Sequence, residues 1–179
     1  MSFDITDPNF DRNETTLELM RLRSAQHLIC FDLDGTLISG YMDNPGKEYD
    51  LWAVLPGVAA KLQQLAAGGV QIAIVTNQGG YAYGLVSKLE IYEKLGAAVA
   101  ALGLDPSAIR IYVALSAKGK LVEGEAADWR KPGGGMIAAA MRDAGVAASN
   151  TLMVGDRPED AEAAEAAGVK FAHRDQFFA

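Results

Sequence analysis

The stretch Leu28-Ile29-Cys30-Phe31-Asp32-Leu33-Asp34-Gly35-Thr36 decides how the rest of the chain is interpreted. Its first four residues are apolar, which predicts a buried strand. Side chains two residues apart in a strand point the same way, so Asp32 and Asp34 should converge unless the chain turns between them. Convergent carboxylates repel each other and attract a cation. Gly35 permits backbone conformations closed to other residues, and Thr36 supplies a hydroxyl for an anionic ligand or for the turn.

The composition indicates one soluble globular domain. The chain has 179 residues, of which 50% are hydrophobic and 22% charged. Its net charge of −7 argues against broad electrostatic capture of nucleic acid, although it leaves a local basic groove open. The single cysteine, Cys30, lies in the first apolar strand, so no internal disulfide can form. With no signal-like N-terminus and no apolar run near the ~20 residues of a membrane span, we expect a cytoplasmic location.

Apolar runs alternate with helix-like segments along the chain. The predicted strands are 28–32, 70–75, 109–113, 151–154 and 169–172, and the predicted helices are 14–24, 56–67, 85–102, 134–144 and 158–167. Continuous apolar strands separated by helices predict an α/β fold, with a parallel sheet covered by helices on both faces. We expect residues 1–26 to form an N-terminal extension with a short helix, and residues 27–179 to form the single α/β domain.

Polar side chains follow two later strands, at the edge where ligands gather in parallel sheets. The second strand is followed by Thr76-Asn77-Gln78-Gly79-Gly80, which offers a hydroxyl, an amide and a glycine-rich turn for an oxyanion. The fourth strand is followed by Gly155 and two acids, Asp156 and Asp160. Asp160 alone could be an ordinary first-turn helix acid, favoured by the helix dipole. Asp156, at the strand end, is better explained as part of a site.

A basic motif, Trp129-Arg130-Lys131-Pro132-Gly133, precedes the predicted helix 134–144. It places two cations before a helix N-terminus, which itself favours anions. Arg130 has the simple alternative of a solvated loop charge. Lys131, followed at once by proline and three glycines, points more clearly to phosphate binding.

Taken together, these residues resemble the haloacid dehalogenase (HAD) superfamily of aspartate-nucleophile phosphohydrolases, over roughly residues 27–173. The resemblance implies a Rossmann-like fold with a minimal cap, because the segment 37–55 is too short for a substantial cap domain. Within the superfamily, the residues around these motifs most resemble the branch that contains histidinol-phosphate, heptose-bisphosphate and polynucleotide 3′-phosphatases. The four motifs of the superfamily occur in order: Asp32 to Thr36, Thr76 with Asn77, Lys131, and Asp156 with Asp160.

The resemblance implies catalytic and metal-binding roles for the four aspartates. Asp32 would attack phosphorus and form an aspartyl-phosphate, and Asp34 would protonate the leaving group and later activate water. Mg²⁺ would be held by the Asp32 carboxylate, the Asp34 backbone carbonyl and Asp156. Asp160 would orient the metal shell through waters.

The same resemblance assigns the remaining site residues to the substrate. Thr76, Asn77 and Lys131 would bind the transferring phosphoryl group, and Arg130 would contact the substrate. We expect a small phosphorylated metabolite of the sugar or histidinol type, no membrane association, and a monomer or small homo-oligomer. The excursion 115–131 contains neither Cys nor His, so the structural zinc of many relatives is not expected.

Specific residues favour or disfavour the alternative functions. A polynucleotide 3′-phosphatase without a kinase domain is the main alternative, because residues 169–178 resemble the tail of such enzymes while 155–160 resembles the sugar and histidinol phosphatases. The negative net charge favours the metabolite. Tyr83 stands where these relatives often carry an arginine, which bears on substrate identity. Asp34 disfavours a dehalogenase, and the presence of all four motifs disfavours a non-catalytic phosphate-binding protein.

Overall fold

A five-stranded parallel sheet forms the centre of the computed structural model, which describes residues 27–40 and 48–179. The strands are β1 (Leu28–Phe31), β2 (Gln71–Asn77), β3 (Ile109–Ala114), β4 (Thr151–Gly155) and β5 (Lys170–His173). Their spatial order is β3-β2-β1-β4-β5, and every neighbouring pair is parallel. The predicted α/β fold is therefore confirmed. The predicted helix 14–24 and the extension 1–26 lie outside the described residues.

Strand β1 is the central strand, and its side chains alternate between two cores. Leu28 pairs in register with Gln71 of β2 on one side and with Thr151 of β4 on the other. Ile29 and Phe31 belong to one hydrophobic core, whereas Leu28 and Cys30 belong to the other. This alternation follows from the two-residue period of a strand. It explains why the whole β1 sequence is apolar.

Helices cover both faces of the sheet, as predicted. They are α1 (Val58–Ala67), α2 (Lys88–Ala101), α3 (Gly135–Ala144), α4 (Pro158–Ala167) and a short C-terminal α5 (Arg174–Phe177). Helices α1 and α2 contribute to the core that contains Phe31, and α3 and α4 to the core that contains Cys30. The helix predicted over 56–67 corresponds to α1, which begins at Val58 and not at Pro56. Gly57, with a φ of 78°, turns the chain into it.

The order of the strands reverses at β1, and the candidate site lies at this reversal. From β1 the chain proceeds to β2 and β3 on one side, and then crosses to β4 and β5 on the other. The loops that leave the two strands next to such a reversal run in opposite directions, so a crevice forms between them at the carboxyl edge of the sheet. The polar motifs that follow β1, β2 and β4 border this crevice.

The described ends of the segment 37–55 pair with each other. Ile38 and Val54 form an antiparallel bridge, and the Ser39 backbone N–H donates to the Ala53 carbonyl at 2.8 Å. The segment thus closes at its base and leaves room for only a small cap above the sheet. Within the described part of the chain, no helix has the length and apolar character that crossing a membrane would require.

The C-terminal turn packs beneath the carboxyl end of β1. The Phe31 ring lies 5.5 Å from the Phe177 ring and 6.1 Å from the Phe178 ring, measured between centroids. An Arg174 Nη1 atom donates to the Gly35 carbonyl at 3.2 Å. Residues far apart in the chain therefore support the loop that carries Asp34.

The buried thiol of Cys30 gives a test of this packing. Cys30 is fully buried, and burial raises the pKa of its thiol to about 12. Because the thiolate is the reactive form, we expect a disulfide-exchange reagent at about pH 8 to leave the folded protein unlabelled. In denaturant it should label one thiol per chain, measured by absorbance. Rapid labelling of the native protein would contradict the buried position of β1.

Candidate active site

The predicted site residues converge on one pocket of about 450 Å³ at the carboxyl edge of the sheet. The exposed side chains of Tyr83 and Leu85 stand at its mouth. Asp156 completes the group of predicted residues, because one of its carboxylate oxygens lies within 4.8 Å of oxygens from two other acids. The predicted residues that line the pocket are Asp32, Asp34, Thr76, Asn77, Arg130, Lys131 and Asp160.

The centre of the site is a buried lysine between two buried acids. The Lys131 Nζ atom lies 2.6 Å from the Asp32 Oδ1 atom and 2.6 Å from the Asp160 Oδ1 atom. Asp32, Asp156 and Asp160 each offer an oxygen within 4.8 Å of the others. Two carboxylates therefore share this ammonium, and Asp156 adds a third acid beside them, so the acids of the cluster outnumber the Lys131 ammonium. Oxygen ligands in such a cluster suit a hard divalent cation.

Burial dominates the titration of this cluster. It raises the pKa of the Asp32 carboxyl to about 7, against the lowering effect of the Lys131 ammonium and with the help of the Asp160 charge. Burial alone would lower the pKa of the Lys131 ammonium, but the Asp32 and Asp160 carboxylates outweigh it and raise that pKa. Lys131 therefore stays charged, and a further cation would favour the ionised form of Asp32.

Asp160 is a first-turn acid of α4 and also contacts Lys131. Its Oδ2 atom accepts from the backbone N–H groups of Asp156 and Arg157, each at 3.1 Å, at the start of α4. Its Oδ1 atom accepts from Lys131. A Cβ atom at Gly155 would collide with the Asp160 side chain, so only glycine fits there. Asp160 thus caps a helix and orients Lys131 at the same time.

The turn after Asp34 approaches the β4 loop closely because it contains Gly35. Gly35 has a φ of 88°, and a Cβ atom there would lie 2.5 Å from the Asp156 Oδ2 atom. The Thr36 hydroxyl donates to the Asp156 Oδ1 atom at 3.1 Å, so it orients an acid of the cluster. Leu33 is fully buried, whereas its neighbours Asp32 and Asp34 both line the pocket. The two carboxylates converge on one pocket, as the two-residue spacing predicted.

The second and third motifs are joined through Asn77. Its side-chain amide donates to the Lys131 carbonyl at 2.9 Å, and its side-chain oxygen accepts from the Lys131 N–H at 3.0 Å. The Asn77 side chain therefore fixes the backbone of Lys131. Thr76 is buried beside it and lines the pocket. An Arg130 Nη1 atom donates to the Ser116 carbonyl at 3.1 Å.

The loop 115–131 is held together by its own polar groups. The Glu125 carboxylate accepts from the backbone N–H groups of Leu115 and Ser116, at 2.7 and 2.8 Å. The Ser116 hydroxyl oxygen accepts from the Val122 N–H at 2.9 Å. Trp129 donates its indole N–H to the Val113 carbonyl at 2.8 Å. These bonds fix the loop that leads into Arg130.

Among the residues at the site that were not predicted, three form a network with Asp34. Lys94 of α2 places its Nζ atom 2.6 Å from the Asp34 Oδ1 atom, and the Gln78 amide donates to the Asp34 Oδ2 atom at 2.9 Å. The Tyr49 hydroxyl donates to the Gln78 side-chain oxygen at 3.1 Å. A lysine on the apolar face of a predicted helix was a signal for Lys94. Gln78 adjoins a predicted motif, but nothing local indicated Tyr49.

Comparison with known proteins agrees with this geometry. A family model described as polynucleotide kinase 3 phosphatase matches residues 27–179. The D-glycero-beta-D-manno-heptose-1,7-bisphosphate 7-phosphatase of Pasteurella multocida is 34% identical over 147 residues, which cover 79% of this chain and 77% of that protein. The enzyme of the same description from Haemophilus influenzae is 33% identical over 145 residues, with the same coverage of 79% and 77%.

Solved structures show the same fold. The D,D-heptose 1.7-bisphosphate phosphatase from B. bronchiseptica, complexed with magnesium and phosphate, has a TM-score of 0.64 and 27% identity, over 81% of this chain and 78% of that one. A HAD-like phosphatase from Mesorhizobium loti has a TM-score of 0.66 at 22% identity, over 80% of this chain and 70% of that one. The predicted membership of the HAD superfamily is confirmed. The chain belongs to the polynucleotide kinase 3 phosphatase family of that superfamily and is a phosphoric monoester hydrolase.

Proposed function

We propose that this phosphatase is a Mg²⁺-dependent enzyme that works through an aspartyl-phosphate intermediate and acts on a small phosphorylated sugar. The observation that carries the mechanism is the cluster of buried Asp32, buried Asp160 and half-buried Asp156 beside Lys131. A nucleophilic carboxylate, a cation site and a fixed ammonium within one pocket are what phosphoryl transfer requires.

The residues of the cluster fit a magnesium ion. The Asp32 carboxylate, the Asp34 backbone carbonyl and Asp156 would hold it, and all three supply the oxygen ligands that Mg²⁺ prefers. The oxygens of Asp160 already accept bonds from Lys131 and from two backbone N–H groups, which supports a role through waters. When bound, the ion would neutralise charge on the phosphoryl oxygens. The solved relative that contains magnesium and phosphate supports this assignment.

In the first step, an Asp32 oxygen attacks phosphorus and the bond to the leaving oxygen breaks. Asp34 gives its proton to that oxygen, so the leaving group departs as an alcohol. In the second step, Asp34 takes a proton from a water that attacks the phosphorus, and the bond to Asp32 breaks to release phosphate. Thr76, Asn77 and Lys131 would stabilise the charge on the phosphoryl oxygens in both steps.

The relatives support a sugar phosphate as the substrate. Both of the 7-phosphatases described above act on a heptose bisphosphate and match most of this chain. Lys118, Arg130 and Arg157 line the pocket beside Lys131 and would attract an anionic sugar. Arg130 is the residue that we assign to substrate contact. A cytoplasmic location and a monomeric or small homo-oligomeric state stay predictions.

A polynucleotide 3′-phosphatase is the second candidate function. The family model that matches residues 27–179 carries that activity in its description, which supports this alternative. The net charge of −7 disfavours it, because nucleic-acid enzymes usually present a basic surface. A substrate comparison can therefore separate the two candidates.

The nucleophile is tested with the Asp32→Asn variant. Hydrolysis of 4-nitrophenyl phosphate should require added Mg²⁺ and should fall by about 10³-fold or more in this variant, because an amide is a poor nucleophile. Asp175→Asn is the matched control, since the Asp175 side chain is 72% exposed and lies outside the pocket. Undiminished turnover in Asp32→Asn, or in excess chelator, would refute the mechanism.

The acid–base role is tested with Asp34→Asn, which removes the proton carrier and keeps the backbone carbonyl. We expect kcat for an alkyl phosphate to fall by roughly 10²-fold or more, whereas kcat for 4-nitrophenyl phosphate should fall far less. An alkoxide needs a proton in order to leave, but 4-nitrophenolate does not. Equal losses on the two substrates would argue against Asp34 as the acid.

The substrate class is tested with one panel at a fixed low salt concentration: heptose bisphosphate, histidinol phosphate, nucleotides and a 3′-phosphorylated oligonucleotide. We expect the highest kcat/KM for the sugar phosphate. A clear advantage for the oligonucleotide that declines steeply as salt is added would instead establish the second candidate, because nucleic-acid binding releases counterions.

A further inference from the structure

Lys94 is buried against the pocket, although it belongs to none of the four motifs. It lies on the buried face of α2, together with Ile91, Leu95 and Ala98. Its side chain is only 3% exposed, and its Nζ atom lies 2.6 Å from the Asp34 Oδ1 atom. The ammonium thus enters the pocket from the side of the sheet opposite to α3 and α4.

Each oxygen of Asp34 has a different partner. Lys94 donates to Oδ1 at 2.6 Å, and the Gln78 amide donates to Oδ2 at 2.9 Å. Tyr49 connects these two partners, because its hydroxyl donates to Gln78 at 3.1 Å and its ring lies 4.4 Å from the Lys94 Nζ atom. Three separate parts of the chain thereby fix one carboxyl group.

Stability alone does not explain a lysine at this position. Burying an ion pair costs desolvation energy that the attraction between the charges only partly offsets. A methionine would fill a similar volume on the apolar face of α2 without that cost. The terminal torsion of an aspartate is soft, so a carboxyl held at one oxygen can rotate, whereas one held at both oxygens cannot. The added value of Lys94 is therefore the orientation of Asp34.

We propose that Lys94 is the positioning residue for the acid–base carboxyl of Asp34. Lys94 and Gln78 hold the carboxyl at its two oxygens, and each oxygen keeps an acceptor site for the transferred proton. The orientation stays the same while Asp34 first gives a proton and then takes one. This inference rests on the proposed role of Asp34 as the acid and base.

The test is the Lys94→Met variant, assayed with an alkyl phosphate and with 4-nitrophenyl phosphate. A misplaced acid slows only the step that needs it, so we expect about a tenfold loss of kcat on the alkyl phosphate and about twofold or less on the aryl phosphate. KM should be unchanged for both. Lys88→Met is the matched control, because Lys88 lies exposed at the start of the same helix and outside the pocket.

A double-mutant cycle separates positioning from other roles. If Lys94 acts through Asp34, adding Lys94→Met to Asp34→Asn should change kcat on the alkyl phosphate by no more than about twofold. The same tenfold loss in that background would mean that Lys94 contacts the substrate itself. Equal losses on both substrates with a lowered Tm would mean a structural role. Either result would overturn the inference.

A second variant covers the case in which Lys94→Met does not fold. Lys94→Gln keeps a hydrogen-bond donor and should show the same selective loss on the alkyl phosphate, but a smaller one. If Asp34→Asn is selective for the alkyl phosphate and neither Lys94 variant is, only the inference about Lys94 fails. If Asp34→Asn itself lacks that selectivity, the proposed function fails and the inference fails with it.

Discussion

The ammonium of Lys131, held between the carboxylates of Asp32 and Asp160, is the interaction on which the rest of the site depends. Three acids at one sheet edge would repel each other without it, and a buried lysine without them would lose its charge. The surrounding structure serves this group. Asn77 fixes the Lys131 backbone, and Gly155 leaves the space that the Asp160 side chain occupies. The contacts that build the proposed catalytic cluster therefore also pack the sheet edge.

The sequence predicted the parts of the site that follow directly from strand ends. Asp32, Thr76 and Asp156 come after apolar runs, and parallel strands bring such ends to one edge. Lys131 was predicted to bind phosphate because a proline and three glycines follow it at the start of a predicted helix. The partners of Asp34 were beyond this reasoning. Lys94 and Gln78 lie 60 and 44 residues away from it, and these contacts depend on how α2 and the turn after β2 pack around the pocket.

The two loops around the pocket show how polar groups can replace larger structures. Residues 37–55 leave room for only a small cap, yet Tyr49 within them connects Gln78 with Lys94. The loop 115–131 has no cysteine for a metal, and the Glu125 carboxylate within it accepts from two backbone N–H groups at its start. In both cases the contacts of one side chain connect parts of the chain that border the pocket.

The contact between Arg174 and the Gly35 carbonyl also bears on how the molecule folds. The two residues are 139 positions apart, so their hydrogen bond closes nearly the whole described chain into one loop. Such distant contacts form late, because the entropy of closing the loop must be overcome first. The pairing of β1 with β4, in which Leu28 lies opposite Thr151, is almost as distant in sequence, so we expect the centre of the sheet and the turn at Asp34 to form together, late in folding. A partly folded chain would then contain every residue of the site and still be unable to hold Asp34 in the pocket.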